Sequence, residues 1–320
     1  LRGLGFRTPD RALKDLNDLI QPIGQVRLPS HLLDQLSDAP DPDLALSNLD
    51  RLSRSVLSKG AFFSELDARP QTCGLLVRLL GSSQYLSDIL VRDPEYFYWL
   101  TETSERLATV CDRVYLDVEM GRAIGAFEDP GRRLDAVRRL MRRELLRIGA
   151  ADLVGGRPIH RVADELSDLA DACLDCVVEE ARRTLVDRFG EPIEESGNEA
   201  TFAVIGLGKL GGQELNFSSD IDLVFVYSAE GTTDGTGRDL SSVSNQEFFT
   251  KLSEQIIQMI SEPTAESSLY RVDMRLRPSG DSGLLVSSLA SFSRYQLDEA
   301  WTWEHQALVR ARALVGCERL

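Results

Sequence analysis

A change of hydrophobic period partway along the chain limits its fold more than any other feature. From residue 1 to about 190, apolar side chains recur at three- and four-residue spacings and β-branched alternation is rare, as in helices packed on one another. Residues 190–200 then carry the acidic run EPIEESGNEA, with Pro and Gly and no apolar period, and read as a linker. Beyond it TFAVIGLG, DIDLVFVY, LYRVDMRLR and GLLVSS are β-rich or alternate, so four strands are predicted. Phe249, Leu252, Ile256 and Ile260 mark an amphipathic helix over 245–261, between the second strand and the third. The expected architecture is α+β: a helical domain over 1–190, then a domain of strands and helices over 200–320.

The helical region repeats one start signal. Pro9-Asp10-Arg11-Ala12-Leu13 and Pro42-Asp43-Leu44-Ala45-Leu46 follow Thr8 and Asp41, each a predicted N-cap before a proline at the first helical position. Two such starts do not make a solenoid. From Arg132 to Ile148, Leu134, Val137, Met141, Leu145 and Ile148 share one helical arc, and Arg139, Arg142, Arg143 and Arg147 lie opposite. The expectation is a buried face backed by a solvated cationic one, neutralised by Glu144 and its neighbours. The functional alternative is a docking surface for phosphate or an acidic partner.

The balance of charge excludes some functions. With 36 basic and 51 acidic residues the formal net charge is −15, which disfavours general nucleic-acid binding. Hydrophobic residues at 42% and charged residues at 27% fit a soluble globular protein, and no apolar stretch of about 18 residues suggests a membrane span. Cys73, Cys111, Cys173, Cys176 and Cys317 are scattered and odd in number, which favours a reducing, cytoplasmic setting over a disulfide framework. Cys173 and Cys176 form a CxxC, but inside the helical run LSDLADACLDCVVEEA they read as structural. The chain opens on Leu1 without a signal-peptide pattern and reads as a piece of a longer protein.

Chemistry concentrates in GLGKLGGQELNFSSDIDLVFVY, residues 206–227. Asp220 and Asp222 stand two apart at the start of a strand, so period-two geometry sends both carboxylates to one face, while Ile221 and Leu223 take the other. Paired carboxylates repel unless a cation lies between them, and hard oxygen donors of this kind suit Mg²⁺. Gly206, Gly208, Gly211 and Gly212 free the backbone around Lys209 for close approach to phosphate. Lys209 supplies a positive charge, and Ser218 and Ser219 supply hydroxyl donors. A P-loop would need Ser or Thr after Gly208-Lys209, where Leu210 stands. Residues 206–211 match G-x-G-x-x-G, but a dinucleotide site places its acidic residue at the end of the second strand, and here two acids stand at its start. Asp273, in LYRVDMRLRP with Arg271, Arg275 and Arg277 on its face, has two readings: a third carboxylate of a two-metal site, or an ion-pair partner of those arginines.

The spacing G-x11-D-x-D from Gly208 to Asp220 and Asp222, followed by a third strand Asp, resembles the polymerase-β-like nucleotidyltransferases. GLGKLGGQELNFSSDIDLVF, YRVDMRLRPSGDSGLLV and AWTWEHQALVRAR, in that order, resemble the glutamine synthetase adenylyltransferase family, and RIGAADLVG in the helical region does so as well. The resemblance implies a small mixed sheet flanked by helices over 200–320, cut short on its C-terminal side. It implies transfer of AMP to or from a tyrosine of glutamine synthetase, with Mg²⁺ as two ions and with ATP, or ADP and phosphate, as nucleotide substrates. Nitrogen-signalling regulatory proteins are implied as further partners. Asp220, Asp222 and Asp273 would hold the metals, Gly208, Lys209, Ser218 and Ser219 would contact phosphates, and Arg275 and Arg277 are further phosphate candidates. Glu214 reads as a supporting residue and His305 as a packed helical histidine.

That family has two homologous halves, one removing AMP by phosphorolysis and one adding it from ATP, and this chain has one DxD. NFSSDIDL and YRVDMRLRP resemble the adenylyl-removing, N-terminal half, which is the reading taken, although AWTWEHQALVRAR resembles the other. The alternative function is a non-catalytic regulatory module that binds nucleotide or an effector.

Overall fold

In the computed structural model, residues 1–20, 27–103 and 105–316 are described; Cys317 lies outside them. The elements run α1 (Pro9–Ile20), α2 (Leu32–Ser37), α3 (Pro42–Ser55), α4 (Lys59–Ala68), α5 (Pro70–Ser82), α6 (Gln84–Arg92), α7 (Glu95–Thr101), α8 (Glu105–Ala108), α9 (Arg113–Gly125), α10 (Pro130–Gly155) and α11 (Ile159–Phe189). Then follow β1 (Pro192–Glu194), β2 (Phe202–Leu207), α12 (Gly208–Gly211), β3 (Ile221–Tyr227), β4 (Gly231–Thr233), α13 (Asn245–Ser261), β5 (Val272–Asp273), β6 (Val286–Ser288), α14 (Leu289–Asp298), α15 (Thr302–Leu308) and β7 (Arg312–Val315). This is the α+β order expected. Two compact units emerge, one of Leu1–Val110 with Arg142–Val162, the other of Cys111–Met141 with the residues from Ala163 onward. No helix among the described residues is long and apolar enough to cross a membrane.

In the first unit α3 packs against α1, α5 and α6. Its N-cap is the expected one: the Asp41 carboxylate accepts from the Leu44 N–H at 3.0 Å, with Pro42 at the first helical position. Thr8 is tied to the other helix start, donating its N–H (3.2 Å) and its hydroxyl to Asp43 in the first turn of α3. The basic face of α10 differs from expectation. Glu144 and Arg147 are buried and paired at 2.7 Å, Arg143 donates to Glu144 at 2.9 Å, and buried Arg142 donates to Asp93 at 3.0 Å. Arg143 also lies over the Trp99 ring, 4.6 Å from its centroid. These arginines are therefore neither a solvated face nor a docking surface. Packing encloses this stretch of the helix on both sides, and each charge is kept by a partner.

The second unit contains a five-stranded mixed sheet. β2 pairs antiparallel with β3 and β7, and β3 pairs in parallel with β5 and β6. Phe202, Phe225, Tyr227 and Phe249 stack on one another with centroids 5.1 to 5.6 Å apart and seat α13 on the sheet. The predicted helix over 245–261 is α13, with Phe249, Leu252, Ile256 and Ile260 all buried. Arg138, also buried, joins α10 to this helix by donating to the Met259 carbonyl at 2.9 Å.

Three local expectations change. Part of the run read as a linker is ordered, because β1 pairs with β4. LYRVDMRLR yields only the two-residue β5: the Asp273 carboxylate accepts from the Arg275 N–H at 2.9 Å and turns the chain before Pro278. The helix expected around His305 does not carry WEHQALVRAR to its end, for α15 stops at Leu308 and Arg312 begins β7. The CxxC cysteines lie on α11 as free thiols, Cys173 buried and Cys176 half-buried, and burial pushes the Cys176 thiol up to about 11. Neither is poised as a nucleophile or ligand.

Candidate active site

Sheet register builds the site. Leu207, the last residue of β2, stands opposite Asp222 near the start of β3, and Asp273 stands beside Asp222 in the parallel pair with β5. The end of β2, the start of β3 and the end of β5 therefore meet at Asp222. Directly after Leu207, α12 turns the chain at Gly208, whose φ is +54°. A Cβ there would fall well inside 3.0 Å of the Asp222 carboxylate, so only glycine fits so close to it.

Around this junction lies an open cavity of about 520 Å³, lined by Gly208, Lys209, Asn216, Ser218, Ser219, Asp220, Asp222, Arg271 and Asp273. Seven of the nine residues singled out from sequence thus share one cavity. The loop before Asp220 closes on itself: the Asn216 N–H donates to Ser219 Oγ at 3.3 Å and the Ser219 N–H to the Asn216 carbonyl at 3.2 Å. Lys209 Nζ reaches Ser219 Oγ at 3.5 Å. A larger cavity of about 710 Å³ near β7 is partly lined by Val178, Phe202, Phe249 and Leu314, and its Arg182 and Glu199 are paired with each other at 2.7 Å.

The electrostatics set Asp222 and Asp273 apart. Burial, then the charges of Asp273 and Asp220, raises the proton affinity of Asp222 above the ordinary aspartate range. Asp273 is held below it by Arg275, whose guanidinium Nε donates to both carboxylate oxygens at 3.0 and 2.9 Å. Arg271 pairs with Asp220 at 2.7 Å. Among the described residues no three acidic, His or Cys side chains are already drawn together tightly enough to hold a metal. The donor chemistry still suits a hard cation, since three carboxylates line one cavity and the repulsion on Asp222 is relieved by positive charge. In this structure Arg275 and Lys209 provide that charge at Asp222, and Arg271 pairs with Asp220.

Other candidates lie elsewhere. Arg277 turns into its own loop, donating to the Met274 carbonyl at 2.8 Å, and does not line the cavity. Arg275 is exposed and committed to Asp273. Glu214 pairs with Arg310 outside the cavity. His305 is exposed rather than packed, with Nε2 2.9 Å from the Gln296 carbonyl oxygen. Asn216, which is no candidate from sequence, and Arg271, read from sequence as one of the arginines beside Asp273, also line the cavity. Strand alternation puts Arg271 on the face of Asp273; Asn216 carries no signal beyond its place in the loop ahead of Ser218.

A family model described as glutamate-ammonia ligase adenylyltransferase matches residues 73–320. Among curated relatives, the bifunctional glutamine synthetase adenylyltransferase/adenylyl-removing enzyme of Hahella chejuensis is 38% identical over 291 residues, covering 90% of this chain and 30% of that protein. The proteins of the same description from Thioalkalivibrio sulfidiphilus and Pseudomonas putida are 37% and 36% identical, over 98% and 100% of this chain and 34% of each of theirs. The chain spans about a third of the length of the curated relatives it matches.

Proposed function

The chain belongs to the glutamate-ammonia ligase adenylyltransferase family, and from that premise we propose that residues 200–320 form a nucleotidyltransferase domain, following a helical domain over 1–190, that moves AMP on a tyrosine of glutamine synthetase. The favoured direction is removal. An oxygen of inorganic phosphate attacks the AMP phosphorus, the bond to the tyrosine oxygen breaks, the phenol regains a proton, and ADP leaves. ATP-dependent adenylylation, in which the tyrosine oxygen attacks and pyrophosphate leaves, is the second direction. One observation carries the reading: Asp220, Asp222 and Asp273 line the same cavity as the glycine turn and Lys209.

Asp220, Asp222 and Asp273 are the residues that would hold Mg²⁺, as two ions. When bound, Mg²⁺ supplies charge neutralisation at the transferred phosphoryl group. The side chains do the positioning. Gly208 lets the backbone approach the phosphates, Lys209 offers them a cation, and Ser218 and Ser219 offer hydroxyl donors. Arg275, once released from Asp273, is a further phosphate contact, and Arg277 is a weaker one because it is engaged in its own turn. A protein substrate fits a cavity open at the surface. Nitrogen-signalling proteins are further partners under this reading, and its substrates place the work in the cytoplasm.

The test is intact-mass analysis of purified glutamine synthetase, modified and unmodified, incubated with this chain, Mg²⁺ and either phosphate or ATP. Phosphate-dependent loss of AMP is expected. Gain of AMP from ATP would reverse the direction, and neither change would favour a regulatory module.

A further inference from the structure

The motif AWTWEHQALVRAR ends on Arg310 and Arg312, two residues for which the proposed reaction has no task. Arg312 heads β7 and stands opposite Gly206 of β2, just ahead of the glycine turn. Its guanidinium meets both oxygens of the buried Asp171 on α11, at 2.5 and 3.2 Å. The same group donates to the Leu210 carbonyl in α12 at 2.9 Å. Two further contacts hold the turn from behind. A Cβ on Gly211 would run into the Arg310 carbonyl, so the glycine turn and the residues that lead into β7 are in direct apposition. The Leu215 N–H donates to Ser167 Oγ, one helical turn before Asp171, at 3.4 Å. Leu210 and Gly211 are buried in this grip, whereas Lys209 is exposed and Gly208 half-buried, both lining the cavity.

We infer that Arg312 is a positioning residue: clamped by Asp171, it holds the Leu210 carbonyl and so keeps the glycine turn in register beneath Asp222. The role in nucleotide binding rests on the proposed function; the grip on the turn does not. Arginine suits the position because its planar fork serves a carboxylate and a carbonyl together, which the point charge of lysine cannot do. The anchored half of α12 fixes the half that faces the cavity, since one helical turn moves as a unit.

The experiment uses the 320-residue chain with Arg312→Lys, which retains a charge beside Asp171 but loses the fork, and with Arg132→Ala, at an exposed position of α10, as a control. Hydrogen exchange is read at the amides of Gly212, Gln213 and Glu214, which donate to the Gly208, Leu210 and Lys209 carbonyls. Binding of Mg²⁺ with ADP is measured by calorimetry. Arg312→Lys should speed exchange in 208–214 about tenfold, the scale of one lost hydrogen bond to a charged group, leave α13 unchanged, and weaken ADP binding about tenfold. Arg132→Ala should change neither. Should Arg312→Lys fail to fold, the charge-neutral pair Asp171→Asn with Arg312→Gln takes its place. Unchanged exchange in 208–214, or an equal rise throughout the chain, overturns the inference. A local rise with unaltered ADP affinity overturns its link to the site. A wild-type chain that binds no ADP overturns the proposed function, while the exchange pattern still decides whether Arg312 holds the turn.

Discussion

Gly208 and Asp222 sit so close that any side chain at 208 would occupy the space of the Asp222 carboxylate. The contact follows from β2 and β3 being antiparallel neighbours with Leu207 opposite Asp222, and it makes the glycine turn and the acidic strand one unit. Gly208→Ala must therefore move one of them, besides straining a backbone at φ +54°. The expected cost is about 1–3 kcal/mol in urea unfolding and about a hundredfold in turnover, the scale of a small misplacement of reacting groups. Gly212→Ala is the control: its φ is −80° and its nearest new neighbour lies at 3.4 Å, so both measurements should stay near wild type.

Asp222→Asn should nearly abolish AMP transfer without unfolding the chain. Near-full activity would sink the assignment of Asp222 to the metal. The substitution also tests the electrostatics. Because the proton affinity of Asp222 is raised in the folded state, its contribution to stability is fully present below the unfolded value and is lost as pH rises through the folded one. Asn has no such loss. At neutral pH the variant should melt about 1 °C above wild type, a sub-kcal/mol effect after solvent screening, and the gap should close near pH 4, the ordinary aspartate range.

Asp168, on α11 one turn before Asp171, offers a titration. Burial and the neighbouring Asp171 push its carboxyl up to about 6. A carbon-detected NMR titration should place its midpoint near that value, and Asp171→Asn should lower it by removing a negative neighbour. By the same sign rule Asp168 contributes most to stability below about pH 4 and loses that contribution as pH rises through about 6. The melting-temperature gain of Asp168→Asn should then be absent near pH 4 and complete by about pH 7. A wild-type midpoint near the ordinary aspartate value would contradict the burial and repulsion seen around Asp168.

Arg147→Met removes one of two cations from Glu144, which is fully buried. Denaturant unfolding should show a loss of about 3 kcal/mol, the scale of breaking a buried ion pair. Arg132→Ala, at an exposed position of the same helix, should stay within about 0.5 kcal/mol. Equal, small effects at both positions would restore the solvated-face reading of α10.

Much of this protein is legible in its amino-acid sequence. Period alone separates the helical region from the strands, because a buried stripe on a helix and a buried face on a strand impose different spacings. The boundaries of α13, the proline-started α3 and the shared face of Asp220 and Asp222 follow from local geometry that neighbouring residues enforce. The motifs lead to the family for the same reason: their residues are close in sequence.

Tertiary structure decided what depends on distant partners. Periodicity distinguishes the two faces of α10 but not what covers them. It predicts a solvated basic face, whereas Asp93, Glu144 and Trp99 lie against it. β5 ends after two residues because the Asp273 carboxylate captures the backbone and guanidinium of Arg275, a competition that alternation cannot register. Arg312 is 141 residues from Asp171 and 102 from Leu210, so its grip on both exists only once β7 pairs with β2. The local sequence specified which residues carry charge and which face each takes; packing alone determined which charges are neutralised, which are buried, and which remain open to a ligand.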